Sequence, residues 1–424
     1  RATCINEEMK IAAVYALASL AKEAVPETVS KAYNVSNLIF GKDYIIPKPL
    51  DPRLITTVAP AVAKAAMDSG VARQPIEDWY KYKSELSHRL GLDNRLFQSM
   101  ILKAKQNPKR VVYAEGNNLK VLRAASEVLR EGIAYPILLG NVNEITQIIA
   151  ENHLDLGDSP IIDPQHQESK EVRKKFAETI WKKRQRKGVT LEEAYGLTSL
   201  NNYFGIMMVD TGMADAMISG VTSHYGDVMS PALKLIGPKP NLNHISSMSI
   251  IMTKKGPLFI ADTTVNLEPD VQTLVETTLM TAEEVKKFNI DPVIALVSYS
   301  NFGSVKLTEH TKNLERTRQT IAYLHKNHPE LVVDGEMQMD FALNKELRSQ
   351  KFPFSRLESK DVNIVIFPNL TSGNIVYKIM HEIGGAEVVG PILMGINKPI
   401  HVVPTECSVR EIANMSIIAV IDAQ

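Results

Sequence analysis

The chain has almost no cysteine: Cys4 and Cys407 stand near opposite ends of 424 residues. Nothing around either has metal-ligand spacing. A disulfide scaffold is therefore excluded, and a reducing, cytoplasmic compartment is expected. Net charge is also lacking, with 48 Lys and Arg against 48 Asp and Glu. That removes the basic excess a nucleic-acid-binding surface needs, although a local cluster can still hold a small polyanion. No apolar run approaches the ~20 residues of a membrane span. No leader pattern precedes the first helix pattern, and with no initiating Met the chain is expected to be part of a longer polypeptide. Internal repeats and low-complexity tracts are missing too.

What is present is 44% hydrophobic residues over a length that suits two or three domains. Residues 1–76 hold helix patterns at 6–24 and 52–69, the second stopped by Gly70, and a short strand at 43–46 closed by Pro47 and Pro49. Residues 77–92 set Trp79, Tyr80 and Tyr82 among charges, reading as a helical linker over 77–90 ended by Gly91. From Asp93 onward, β-rich runs alternate with amphipathic helices. Strands are expected at 110–114, 135–139, 214–219, 245–253, 258–261, 292–299, 363–367 and 401–403. Such alternation predicts an α/β protein with mostly parallel sheets.

Residues 219–233 are the most informative stretch. The apolar run 214–219 reads as a buried strand, and a turn with Gly220, Thr222, Ser223, His224 and Tyr225 follows. Ser230 and Pro231 then read as an N-cap and a first helical position. Strand, small-residue turn and helix start together predict an anion cradle.

This stretch resembles the substrate loop of the phosphate acetyltransferase family. Further landmarks stand in family order at 114–125, 296–306, 333–340 and 367–378. The resemblance implies a two-lobed, three-layer αβα fold like that of the isocitrate and isopropylmalate dehydrogenases, with a cleft between lobes. Lobe one would be 93–240 plus 391–424 and lobe two 241–390. Residues 1–76 resemble the far end of the Rossmann-like NAD(P) domain of bacterial malic enzymes, on the segments 2–13, 43–55 and 58–66. Hybrid malic enzymes with a C-terminal phosphotransacetylase-like domain join these two pieces in this order. That resemblance implies NADP-dependent oxidation of malate to pyruvate and CO2, with NADP and Mg or Mn bound mainly outside this segment. It also implies a regulatory role for the later domain, with acetyl-CoA as inhibitor. The partners implied are the protein's own N-terminal malic enzyme domain and a homo-oligomer dimerising through lobe two, without nucleic acid or membrane.

Family chemistry needs arginines for two polyanions, a carboxylate toward the thiol, and a Ser donor for the developing charge. This chain departs at most of those positions. Ser230 stands for the loop Arg, Pro404 and Thr405 for a Ser-Arg pair in 403–406, Glu382 for a further Arg and Glu411 for the catalytic Asp. Each lost charge-assisted contact is worth roughly 1.5–3 kcal/mol, so the expectation is an impaired transferase with no catalytic residue. Only Arg184, in the basic run 182–187, matches a family anion-binding Arg, and a solvated helix end is the alternative reading.

Candidate residues for acetyl-CoA or another anion are Arg184, Thr222, Ser223, His224, Tyr225, Ser230, Ser300, Thr371, Ser372 and Asn374. For the turn at 371–374, loop chemistry and an anion site both stand. Ser408/Glu411, Thr190/Glu193 and Thr281/Glu284 have capping-box spacing, and this reading is preferred for Glu411 over catalysis. Met207, Met208 and Met213 are expected in the core and His401 in a strand. An active phosphate acetyltransferase and a purely structural assembly module are the alternative functions.

Overall fold

A computed structural model describes the whole chain except residues 1, 24, 26–28, 31–32, 34, 36–37, 39, 90–94, 254, 385 and 406, and also omits the side chains of 80, 84, 87–89 and 95. The expected boundaries at Ala24, Leu90, Gly91 and Asp93, and Glu406 of the C-terminal motif, lie outside the described residues.

Helix Glu7–Lys22 starts where Asn6 accepts the Met9 amide at 3.1 Å. It packs on helix Arg53–Asp68, which ends at Ser69 and Gly70. The strand expected at 43–46 does not form. Gly41 and Tyr44 make an isolated bridge, and Ile45 and Ile46 are exposed. The prolines at 47 and 49 cannot donate to a ladder, so the run finds no partner strand. Among the described residues, 2–76 contribute no strand to either sheet.

The first sheet has strands β1 (Lys109–Tyr113), β2 (Ala134–Leu139), β3 (Ile161–Ile162), β4 (Ala216–Ser219) and β11 (Ile400–Val402), ordered β11-β4-β1-β2-β3 and all parallel. Side chains alternate across it. Val111 and Tyr113 face helices Leu119–Arg130 and Val409–Asp422; Val112 and Ala114 face the layer with helices Lys170–Arg184 and Asn201–Asp210. Fully burying one such apolar side chain is worth about 1.5–3 kcal/mol. The second sheet has β5 (Ser246–Thr253), β6 (Gly256–Ala261), β7 (Val293–Val297), β8 (Val332–Met337), β9 (Ile364–Ile366) and β10 (Val388–Met394), ordered β10-β5-β6-β9-β7-β8. Among the described residues of this sheet, β10/β5 and β5/β6 pair antiparallel and the other neighbours parallel.

Strand β10 escaped the pattern reading because Gly390 and Pro391 interrupt it, and the register slips between Val389 and Ile392. The boundary placed at 390/391 falls inside this strand, whose residues through Met394 pair with β5. Helix Val409–Asp422 is buried without a break from Ile412 to Ile421. A helix apolar on every side must be enclosed, and it packs on β1, β4, β10 and two helices of the first lobe. One hydrophobic core therefore runs from the first lobe into the second.

Candidate functional site

In the first sheet the connections run outward in opposite directions from β1 and β4, its central neighbours. The crevice beyond the carboxyl ends of such a pair is where open α/β sheets bind ligands. A cavity of about 660 Å³ opens there. It is lined from the end of β1 by Ala114, Glu115 and Asn117, and from helix Asn201–Asp210 by Asn201, Asn202 and Tyr203. The turn after β4 adds Thr222, Ser223 and His224, and the next helix adds Asp227, Ser230 and Pro231.

The turn forms the expected nest of amides, but the chain's own carboxylate fills it. Glu115 Oε2 accepts from the Gly220 and Val221 amides at 3.0 and 2.8 Å. Its Oε1 accepts from the Thr222 and Ser223 amides at 2.8 and 2.9 Å and from Thr222 Oγ1 at 2.9 Å. Five donors saturate both oxygens, and such charge-assisted bonds are the strong ones. Gly220 is required at the start: its φ is +120°, and a Cβ would lie 2.2 Å from the Val403 carbonyl.

The helix start is a correction. Helix Tyr225–Leu235 begins after His224, so Ser230 is not an N-cap and Pro231 lies inside the helix. With the nest pinned on Glu115, the chain turns into the helix at Tyr225. Pro231 has no N–H for the Asp227 carbonyl, so the helix loses one bond there.

The ten candidate residues separate into groups. Thr222, Ser223, His224 and Ser230 line the cavity. Arg184 ends helix Lys170–Arg184, and its charge reaches the phenol of Tyr203, a lining residue. Tyr225 is the first residue of the next helix and is not among the lining residues; its phenol is pushed up by burial and by Asp262 of the second lobe. Ser300 is buried elsewhere, donating to Glu336 Oε1 at 2.8 Å. Thr371, Ser372 and Asn374 lie in the first turn of helix Leu370–Glu382. There Asn369 accepts the Ser372 amide and hydroxyl at 3.0 and 2.9 Å, and Asn374 donates to the Thr263 carbonyl at 3.1 Å.

Between the lobes, Tyr377 of helix Leu370–Glu382 is pushed up to about 12 by burial and then by Glu411 and Cys407, so these groups face each other. The Cys407 thiol is also pushed up to about 12, by burial and then by Glu411. It stays protonated at neutral pH and is no nucleophile. Glu411 is held in a capping box. Its Oε2 accepts from the Ser408 amide and hydroxyl, both at 2.7 Å, while Ser408 Oγ accepts the Glu411 amide at 3.2 Å. Thr190 and Glu193 form the same box. Thr281 and Glu284 do not: they lie within helix Val271–Lys287, where Thr281 bonds the Thr277 carbonyl. Met207 and Met208 are core residues, whereas Met213 is 39% exposed just beyond its helix end. His401 is a buried residue of β11.

Sequence reading missed the role of Glu115, along with Asn117, Asn201, Asn202, Tyr203 and Asp227. An acid one position past a buried strand, in a chain with an amide-rich turn, was the available signal for Glu115.

The fold is that of a phosphotransacetylase scaffold, and the chain belongs to the phosphate acetyl/butaryl transferase family, which it matches over residues 95–420. Phosphate acetyltransferase of Clostridium acetobutylicum is 32% identical over 78% of this chain and 98% of its own length. The crystal structure of a Streptococcus pyogenes phosphotransacetylase superposes with a TM-score of 0.70, at 33% identity over 78% of this chain and 98% of that one. NADP-dependent malic enzyme of Escherichia coli K12 is 41% identical over the whole of this chain but only 55% of its own length. The chain thus spans about half the length of that relative.

Proposed function

We propose that this chain is the phosphotransacetylase-like part of an NADP-dependent malic enzyme and that it binds acetyl-CoA as a regulator without transferring its acetyl group. The observation that carries this reading is the cavity lining. Among the described residues it holds no Lys or Arg, but it does hold Glu115 and Asp227. The nest that would take a phosphate is occupied by Glu115. By the family resemblance, acid also stands in place of a cation at Glu382. Arg184 and the neighbouring Lys182, Arg186 and Lys187 remain as the cations for an anionic ligand at the cavity's edge.

In the whole protein the proposed reaction is oxidation of malate to pyruvate and CO2 with reduction of NADP, in the cytoplasm. Among the described residues no group of three His, Cys, Asp or Glu side chains is placed to hold a metal ion. The test is calorimetric titration with acetyl-CoA, coenzyme A and acetyl phosphate, beside an assay for acetyl phosphate formation. Saturable acetyl-CoA binding, weakened by Arg184→Ala, with no acetyl phosphate produced is expected. Turnover like that of an active phosphate acetyltransferase would sink the proposal.

A specific observation also favours an assembly role. Ile375, Ile379 and Ile383 are 52%, 49% and 83% exposed and share one helix face. We propose this face as part of a homo-oligomer contact through the second lobe. Sedimentation of the chain with Ile379→Asp should show a smaller species than the unmodified chain; unchanged assembly rejects it.

A further inference from the structure

The lobes are also joined by four ionisable side chains, none of which lines the cavity. Lys287, at the end of helix Val271–Lys287, places Nζ 2.6 Å from Glu284 Oε2 on its own helix. The same nitrogen lies 2.6 Å from Asp422 Oδ1, on the last helix of the first lobe. His401 of β11 lies with Nε2 3.1 Å from the other oxygen of Asp422, at ion-pair distance but not aligned as a hydrogen bond. Its Nδ1 is buried and has no hydrogen-bond partner. Other charges face the group. Lys239, from the segment joining the lobes, lies near Glu284. Lys103, of helix Arg95–Gln106, donates to the Lys287 carbonyl at 3.3 Å. The side chains of Glu284, Asp422 and His401 are 10%, 11% and 1% exposed.

Two largely buried carboxylates thus share one ammonium, whose side chain is 31% exposed. Like charges held so close resist ionising together, and a proton on one relieves both repulsion and desolvation. We infer that Glu284, Lys287, Asp422 and His401 form a protonation-sensitive latch between the two lobes, with Glu284 as the group that gains or loses the proton. Asp422 keeps its charge because His401 and Lys287 outweigh its burial and hold its carboxyl below the usual range. Lys287 beside Glu284 and Lys239 near it do not offset its surroundings; burial and then Asp422 push its carboxyl up to about 7. The closed latch therefore binds this proton more tightly than an opened one. Its contribution is complete below the ordinary value of 4.5 and is lost as pH rises through about 7. The latch tightens as pH falls. This inference does not depend on acetyl-CoA binding.

Hydrogen exchange of helices Val271–Lys287 and Val409–Asp422 tests it. Between about pH 6 and about pH 8, corrected for intrinsic rates, protection in both helices should fall about tenfold. Glu284→Gln should hold both helices at the protected level across the range. His401→Gln should leave the pH dependence in place. Asp422→Asn removes the repulsion and should move the transition to lower pH, which tests the latch even if Glu284→Gln does not fold. A flat profile in the unmodified chain, or an unchanged profile in Glu284→Gln or Asp422→Asn, would overturn the proposal. So would a pH dependence abolished by His401→Gln.

Discussion

Two turns in this molecule look alike in sequence and differ in what satisfies them. The turn at 220–223 and the turn at 369–372 both follow a buried strand, both are rich in small polar residues, and both lead into a helix. In the second, Asn369 accepts the amide of Ser372, three residues on. In the first, four successive amides and a hydroxyl converge on Glu115, from 105 to 108 residues away in sequence. The second turn is a local cap that forms with its helix. The first is built only when β1 and β4 are side by side. A glutamate held by five donors also takes the place an anionic ligand would occupy, so the scaffold's most obvious anion site is internal.

Removing the remote anchor should cost most. Glu115→Ala leaves four amides without their acceptor and is expected to destabilise the chain by about 3–5 kcal/mol in urea unfolding. A loss no larger than that of a helix cap would mean water satisfies the nest equally well. Glu336 is a second long-range anchor, this time in the second lobe. Burial opposes its charge, but Arg318, the Gly303 amide and Ser300 outweigh it and hold its carboxyl below the ordinary 4.5. Its contribution is present above that value and disappears as pH falls through its lower folded value. Glu336→Gln should cost about 2 kcal/mol at neutral pH. The difference from the unmodified chain should shrink in acid, and a difference that stays constant there would rule out the charge as its source.

The local caps should cost less. Asn369→Ala is expected to lose about 1 kcal/mol, read from the shift in unfolding midpoint. Glu411→Ala removes half of a capping box and should cost about 0.5–1 kcal/mol. If Glu411 instead carried transfer chemistry, this substitution would abolish an acetyl-transfer activity while leaving stability untouched. Measured together, the four variants either separate remote anchors from local caps or show that distance in sequence does not matter here.

Most strand positions were legible because they are apolar runs between helix patterns: β1, β2, β4 to β7, β9 and β11 lie within a few residues of their expected places. Strand β10 was hidden by its Gly390–Pro391 interruption, β8 by Asp334 and Gly335 inside it, and β3 by having only two residues. The capping boxes at Ser408 and Thr190 were readable because every bond in them spans three residues. The same spacing at Thr281 misled, because a helix already running past it left no free amide to cap. Of the candidate site, the turn 222–224 and Ser230 were visible through their motif, whereas Asn201, Asn202 and Tyr203 reach the cavity only because their helix packs beside β4.

By itself the sequence determined the alternation of strands and helices, the family scaffold over most of the chain, and the uncharged or acidic side chains at Ser230, Thr405 and Glu382. These rest on local periodicity and on the identity of single side chains. Tertiary structure alone decided that Glu115 fills the amide nest, that the following helix begins at Tyr225, and that Glu284, Lys287, Asp422 and His401 meet between the lobes. Those outcomes join groups tens to hundreds of residues apart. Their energies depend on burial and on which charges face each other, and neither exists until the chain has folded.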